Sequence, residues 1–215
     1  MRTISFVLTL TVLLISSCCF AQSDTLGRYS PGFKFKDGIY LVFDDFKSNC
    51  TAIPLKDLRD REGNEVSQID EDQELYYLEN DTLRPIDTDV IFGFSDQGKV
   101  SLGYEGNFNR LVVIGTLCHV VQREIVVDYI RGGLYEFNSM PVRREVQKEF
   151  ILDMRTGEMS AFNPSNLDYH IADDSIIASG YTKQSQKKRR ALLYSTLHSY
   201  NRAHPMYFPI SRCKR

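Results

Sequence analysis

Residues 90–104 read VIFGFSDQGKVSLGY, and this stretch decides the fold class. Two runs that alternate apolar with small or polar residues, 90–94 and 100–104, flank the turn-forming residues 95–98. Alternation with a period of two places every second side chain on one face, and a Gly-containing turn between two such runs is the pattern of a β-hairpin. The sequence therefore predicts a hairpin here.

Further strand patterns surround this hairpin at short intervals. They lie at residues 75–78, 111–114, 117–121, 124–130, 146–154 and 159–162. Residues 111–114 are apolar on both faces, which predicts the interior of a sheet. Residues 117–121 and 124–130 are compatible with one long bent strand or two short ones. Because no helical pattern separates the strands, we expect an antiparallel sheet of about six to eight strands.

Helices are predicted at both ends of this β-rich region. Tyr40, Phe43 and Phe46 recur at three-residue spacing, which predicts a short helix that ends near Asn49. The last fifty residues change to helical patterns, which lie at 163–171, after 173 and at 184–201. The fold class predicted is α+β, with the C-terminal helices packed on the sheet.

The chain divides into three predicted segments. Residues 1–21 have the charged start, apolar run and small-residue end of a secretory signal peptide. Residues 22–32 are polar and aperiodic, which predicts a tether. Residues 33–210 form one predicted α+β domain, mainly β over 33–162 and mainly helical over 163–204.

The signal segment leaves two processing routes open. Cleavage after Ala21 would release a free periplasmic or secreted protein, and this route is favoured. Residues 15–18 also match a lipobox, in which case Cys18 would carry acyl chains and anchor the protein to the outer membrane. The protein is expected to be exported by either route.

Composition limits the partners and the redox chemistry. The chain holds 26 basic and 28 acidic residues, so nothing in its charge indicates nucleic acid as a partner. Beyond the signal segment, Cys50, Cys118 and Cys213 are the remaining cysteines. Three thiols allow at most one internal disulfide. The sequence favours unpaired thiols with an exposed Cys213, and it does not determine a pairing.

A search for catalytic motifs finds none of the familiar ones. There is no nucleophile elbow, zinc-binding helix, phosphate-binding glycine loop or calcium loop, so no cofactor, metal site or catalytic residue is assigned. Cys118 and His119 are adjacent, but neighbours in a strand point to opposite faces and cannot activate each other. The acid pairs at 44–45 and 173–174 are typical of helix starts.

Two groups of residues are candidates for an interaction surface. The first is the aromatic series Tyr40, Phe43 and Phe46, for which core packing is the competing interpretation. The second is the cationic run Lys187, Lys188, Arg189 and Arg190, which suits anionic lipid or lipopolysaccharide phosphates. The competing interpretation of the cationic run is the solvated face of the last helix.

Several short motifs resemble a known family. They are Gly38-Ile39-Tyr40 followed by Phe43, Phe46 and Asn49, then Ile91-Phe92-Gly93-Phe94, and finally Tyr200-Asn201-Arg202 with Pro205 and Phe208-Pro209. In this order they resemble a family of uncharacterised exported proteins of Bacteroidota-type bacteria, described only as a domain of unknown function. The resemblance implies a bacterial, exported, single-domain protein and carries no activity or site residue with it.

Together these observations favour a non-catalytic envelope or secreted protein that acts as a binding module. An envelope protein, a glycan or a lipid headgroup are the partners considered, and the oligomeric state is left open. One alternative is a small hydrolase-like periplasmic enzyme whose site residues are assembled only in the fold. Another is a structural subunit that pairs with itself through a sheet edge.

Overall fold

An antiparallel sheet of eight strands forms the centre of the protein, as a computed structural model shows for residues 25–69, 73–131, 139–210 and 213. The predicted signal peptide 1–21, with Cys18, lies outside these described residues. The predicted α+β class is confirmed, since an antiparallel sheet is combined with mainly C-terminal helices.

The strands follow one another with few interruptions. They are β1 (Leu26–Arg28), β2 (Gly38–Tyr40), β3 (Ile53–Pro54), β4 (Leu58–Arg59), β5 (Tyr76–Glu79), β6 (Thr82–Pro85), β7 (Gly93–Asp96), β8 (Lys99–Tyr104), β9 (Asn107–Val113), β10 (Leu117–Arg131), β11 (Ser139–Asp153), β12 (Met159–Ala161) and β13 (Tyr207–Pro209). The central sheet has the order β12-β11-β10-β9-β8-β7-β2-β3, and two small sheets pair β1 with β13 and β4 with β5 and β6.

The helices are short except for the last. They are α1 (Phe43–Lys47), α2 (Pro164–His170), α3 (Ser175–Thr182) and α4 (Gln186–Ala203), with 3₁₀ turns at Leu55–Asp57 and Thr88–Val90. Side chains of Asn163, Asp174 and Ser185 cap α2, α3 and α4 by accepting backbone N–H groups, as the sequence predicts for Asp174. No helix in the described part of the chain has the length and apolarity needed to cross a bilayer.

The predicted hairpin at 90–104 is confirmed with a small shift of its first strand. β7 and β8 pair from Gly93↔Leu102 to Asp96↔Lys99. The two turn residues, Gln97 and Gly98, both have positive φ values of 50° and 75°. Two consecutive left-handed residues form the turn type that matches the twist of paired strands.

Strands β10 and β11 form a long hairpin that extends beyond the rest of the sheet. β10 is a single strand of 15 residues, which decides between the two alternatives for 117–130. β9 pairs with it only at His119, Val120 and Val121. Beyond Val121, β10 pairs only with β11 among the described residues, and cross-strand ion pairs such as Lys148–Glu124 lie along this two-stranded part. The same part also exposes apolar side chains, with Ile125 69% and Val127 42% exposed.

The two faces of the sheet have different coverings. One face carries Cys118, Val120 and Phe150 into an aromatic core with Phe35 and Phe46. The other face is covered by the C-terminal helices, and its core contains Leu117, Ile151, Leu167, Leu197 and Tyr200, all fully buried. Burial of such apolar side chains contributes about 2 kcal/mol each, which holds the helices on the sheet.

The N-terminal part departs from the sequence-based picture in two places. Tyr40 lies in β2, and the helix begins only at Phe43, so the spacing of three does not reflect one helical face. Within the predicted tether, Leu26–Arg28 form β1 and pair with Tyr207–Pro209. This strand is formed by contacts with the far end of the chain, which a local pattern does not contain.

The cysteines also differ from the arrangement that the sequence favours. Cys50 and Cys213 are joined in a disulfide with their Cα atoms 5.5 Å apart, so the expectation of unpaired thiols is wrong for these two. Cys118 is the free thiol and is buried. Burial raises the pKa of Cys118 to about 12, which makes it an unreactive core residue.

Candidate functional site

The predicted aromatic surface is part of the core. Tyr40 and Phe46 have no exposed surface, and their rings meet edge to face with centroids 5.5 Å apart. Phe43 is partly buried and packs against Phe92 at 5.7 Å. In the folded chain Tyr40 and Phe46 fill the core and are not accessible to a partner, whereas Phe43 is only partly covered.

The predicted cationic run is divided between a structural contact and a free surface. Arg189 is half-buried and forms an ion pair with Asp168, and its carbonyl oxygen accepts the hydroxyl of Tyr181 at 2.9 Å. Lys187, Lys188 and Arg190 are exposed in the first turns of α4. Arg189 therefore joins α4 to α2, while the other three cations face solvent.

A fourth cation enlarges the free surface at the loop between α3 and α4. Lys183 is exposed directly after α3. None of Lys183, Lys187, Lys188 and Arg190 forms an ion pair with any residue that the structure describes. We call these four residues the basic corner.

A shallow, partly apolar groove lies between α3 and α4. Its volume is about 240 Å³, and its walls include Ile176, Ile177 and Leu192, with hydroxyls of Ser195 and Ser199 along one side. Ile176 is 83% exposed. Lys188 precedes Leu192 by one helical turn, so both lie on the same side of α4.

A buried polar network lies beneath the same helices, at the end of β11. Asp153 is the last residue of β11 and only 4% of its side chain is exposed. The guanidinium of Arg155 donates to its carboxylate through Nη2 at 2.6 Å and through Nε at 2.9 Å. The same guanidinium donates through Nη1 to Asp173 and to the hydroxyl of Tyr200. Arg155 thus connects the β11–β12 turn with the α2–α3 loop and with α4.

Electrostatics keep the central carboxylate of this network ionised. Burial raises the pKa of Asp153, but hydrogen bonds from His170 and Arg155 outweigh burial and hold its pKa well below the usual range. The hydrogen bond to Asp153 correspondingly raises the pKa of Arg155. Asp153 is therefore an anion at every pH at which the protein is expected to function.

The network also contains a serine and a histidine in a defined order. Ser160 Oγ lies 2.9 Å from His170 Nε2, and His170 Nδ1 lies 3.2 Å from Asp153 Oδ2. The side chain of His170 is 1% exposed, while Ser160 is half-buried on the edge strand β12. A hydroxyl, an imidazole and a carboxylate in this sequence of contacts have the arrangement of an activated nucleophile.

A second buried histidine lies on the same face of the sheet. His119 packs between the rings of Phe162 and Tyr194, with centroids at 4.9 and 5.2 Å. Its Nε2 is 3.7 Å from Glu149, too far for a hydrogen bond. Burial lowers the pKa of His119, and the nearby Glu149 only partly opposes this shift. His119 and Cys118 point to opposite faces, as predicted.

Metal-ligating side chains and the other hollows of the described residues give no competing site. Within residues 25–69, 73–131, 139–210 and 213, no group of three or more His, Cys, Asp or Glu side chains is arranged to hold a metal ion. An open hollow of about 650 Å³ lies next to the β8–β9 turn. Its carboxylates, Asp89 and Glu105, form no hydrogen bond with any histidine or hydroxyl side chain in the part of the chain that the structure describes.

The sequence does not reveal the Ser160, His170 and Asp153 cluster. The three residues lie on β12, α2 and β11, and none belongs to a recognisable catalytic motif. The sequence gives a position only for Asp153 and Arg155, which lie at the end of the predicted strand 146–154 and directly after it. The hydrogen-bonded order of the side chains arises when α2 folds back over the last hairpin.

Comparison with known proteins adds no further constraint, because no protein-family model, curated protein or solved structure matches this chain. The resemblance to exported proteins of Bacteroidota-type bacteria therefore stays a prediction. Fold and geometry define an α+β protein with an exposed basic corner beside an apolar groove and a buried Ser-His-Asp cluster.

Proposed function

We propose that this is an exported protein of the bacterial envelope that binds anionic lipid headgroups through the basic corner and the adjacent groove. The observation that carries the proposal is the set of four exposed cations, Lys183, Lys187, Lys188 and Arg190, which have no anionic partner in the described residues. The groove between α3 and α4 is lined by Leu192, one helical turn after Lys188. Phosphate groups would neutralise the cations, and an acyl segment would cover the groove.

The expected affinity follows from the number of cations. Each Lys or Arg near an anionic membrane surface contributes about 1 kcal/mol, so the four together contribute about 4 kcal/mol. Insertion of Ile176, which is 83% exposed, adds about 1.5–3 kcal/mol if its side chain is fully buried. Binding is therefore expected to be weak and reversible, and it should decrease as salt screens the cations.

Co-sedimentation with vesicles tests this proposal. All proteins carry Cys18→Ser, so that no acyl anchor contributes. We expect binding to vesicles that contain phosphatidylglycerol and little binding to phosphatidylcholine alone. Lys187→Glu with Lys188→Glu should weaken binding at least about thirtyfold, because two contributions of about 1 kcal/mol are lost before any repulsion is counted.

A matched variant controls for net charge. Lys99 and Arg110 are exposed on β8 and β9 and have no ion-pair partner in the described residues. Lys99→Glu with Arg110→Glu changes the net charge by the same amount far from the corner. Equal loss of binding in both double variants would show that the corner has no special role, and the proposal would be abandoned.

Export and anchoring require a separate experiment. We propose that residues 1–21 direct export and that cleavage after Ala21 releases a soluble protein. Fractionation of the bacterial cell should find the native protein and Cys18→Ala equally in the soluble exported fraction. A membrane-bound pool that disappears in Cys18→Ala would instead establish lipid attachment at Cys18.

A further inference from the structure

We propose that Ser160, His170 and Asp153 form a nucleophilic site that hydrolyses carboxylic esters, an activity beyond the proposed headgroup binding. Ser160 is the nucleophile, His170 is the general base and Asp153 orients the imidazole. The inference starts from the two contacts in the cluster, 2.9 Å between Ser160 Oγ and His170 Nε2 and 3.2 Å between His170 Nδ1 and Asp153 Oδ2.

The carboxylate determines which ring nitrogen carries the proton. An ionised carboxylate only accepts hydrogen bonds, so the contact with Asp153 requires a proton on His170 Nδ1. In the neutral imidazole, Nε2 then carries the lone pair, which faces Ser160 Oγ and can accept its proton. Arg155 donates to both oxygens of Asp153, which keeps this carboxylate ionised and fixed in orientation.

The nucleophile can be reached from solvent while its partners are protected. Ser160 is half-buried on β12, the edge strand of the sheet. Tyr169 is 68% exposed and lies beside the buried His170. In the proposal, an ester reaches Ser160 from the edge of β12, where no further strand of the described sheet covers it.

The strand geometry also supplies a donor for an oxyanion. Phe162 N donates to Glu149 O, and Asp153 N donates to Glu158 O. Because hydrogen-bonded and non-bonded pairs alternate along antiparallel strands, the amide of Ala161 between these pairs points away from β11. An amide of the residue that follows the nucleophile is a common oxyanion donor.

The reaction balances with water as the second substrate. Ser160 Oγ attacks the ester carbonyl as its proton moves to His170 Nε2. The tetrahedral intermediate collapses, its bond to the alkoxy oxygen breaks, and the alcohol leaves with the proton from His170. Water then attacks the acyl-serine, His170 accepts the water proton and returns it to Ser160 Oγ, and the carboxylic acid is released.

Active-site labelling of the native protein tests the proposal without a variant. A fluorophosphonate forms a P–O bond to an activated serine with loss of fluoride, and peptide mass spectrometry locates the adduct. Ser165 is an exposed serine on the first turn of α2 and serves as the internal reference. We expect Ser160 to react at least about a hundredfold faster than Ser165, the lower range for general-base assistance.

Variants connect labelling with turnover. Ser160→Ala should abolish both the fast labelling and the hydrolysis of p-nitrophenyl acetate, while Ser165→Ala should retain both. His170→Gln should slow labelling of Ser160 to the rate of Ser165, with circular dichroism confirming the fold. If Ser160 in the native protein reacts no faster than Ser165, the cluster has only a structural role and the proposed activity is refuted. Vesicle binding does not involve Ser160, so either proposal can fail alone.

Discussion

Replacement of Arg155 by methionine should destabilise the protein far more than removal of a surface arginine. Arg155 donates to Asp153, Asp173, Tyr200 and the carbonyl oxygen of His170. The side chain of Asp153 is only 4% exposed, so its charge would be left with little solvent. Breaking a buried ion pair in this way costs about 3–5 kcal/mol.

The lower end of that range is expected here. Arg155 is itself 37% exposed, and Asp153 would keep its hydrogen bonds from His170 Nδ1 and from the backbone N–H of residue 155. We therefore expect a loss of about 3 kcal/mol in the free energy of unfolding. For a chain of this size each kcal/mol lowers the melting temperature by about 2–4 °C, which gives a decrease of about 6–12 °C.

Urea unfolding with the disulfide kept oxidised measures the effect. Arg144→Met is the matched control, because Arg144 is 63% exposed and pairs with a half-exposed Asp128; this pair should contribute less than about 1 kcal/mol. Asp153→Asn with Arg155→Met removes both charges and should cost less than Arg155→Met alone. Equal losses for Arg155→Met and Arg144→Met would contradict the reasoning.

Three further predictions concern other parts of the fold. Asn201 accepts the N–H and donates to the C=O of Leu117, so Asn201→Leu should lose about 1–3 kcal/mol in urea unfolding by leaving buried backbone groups unpaired. Reduction of the disulfide between Cys50 and Cys213, which are 163 residues apart, should lower stability by up to about 5 kcal/mol, and a double serine variant should then be insensitive to dithiothreitol. Burial lowers the pKa of His119 below its ordinary 6.5. The contribution of this histidine to the free energy of unfolding is therefore fully present above pH 6.5 and should be lost as the pH falls below it. The decline in melting temperature from neutral to mildly acidic pH should be smaller in His119→Gln; an unchanged decline would assign the effect to other groups.

Local patterns were sufficient for the elements that carry their own signals. The alternation on either side of residues 95–98 predicted a hairpin, and the structure has positive φ values at Gln97 and Gly98. Asp174 caps α3 as predicted. In contrast, β6 (Thr82–Pro85) is exposed along its whole length, so it lacks the alternation in burial by which a strand is recognised.

Spacing alone predicted the wrong secondary structure for residues 40–46, where a strand and a helix follow each other closely. Tyr40 and Phe46 are both fully buried, and their spacing was compatible with one helix. The chain instead leaves β2 after Tyr40 and enters α1 at Phe43. Burial rather than helical periodicity explains this aromatic pattern, since both rings fill the same core from two different elements.

The sequence by itself determined the antiparallel β-rich class, the hairpin turns, the capped C-terminal helices and the exposed position of Lys187, Lys188 and Arg190, because each depends on residues close together in the chain. Only the tertiary structure decided the pairing of Cys50 with Cys213 and the contact of Ser160 with His170 and Asp153. These arrangements depend on how α2 and the C-terminus fold back onto the sheet. Such long-range contacts are set by the packing of buried faces, which no local pattern of residues specifies.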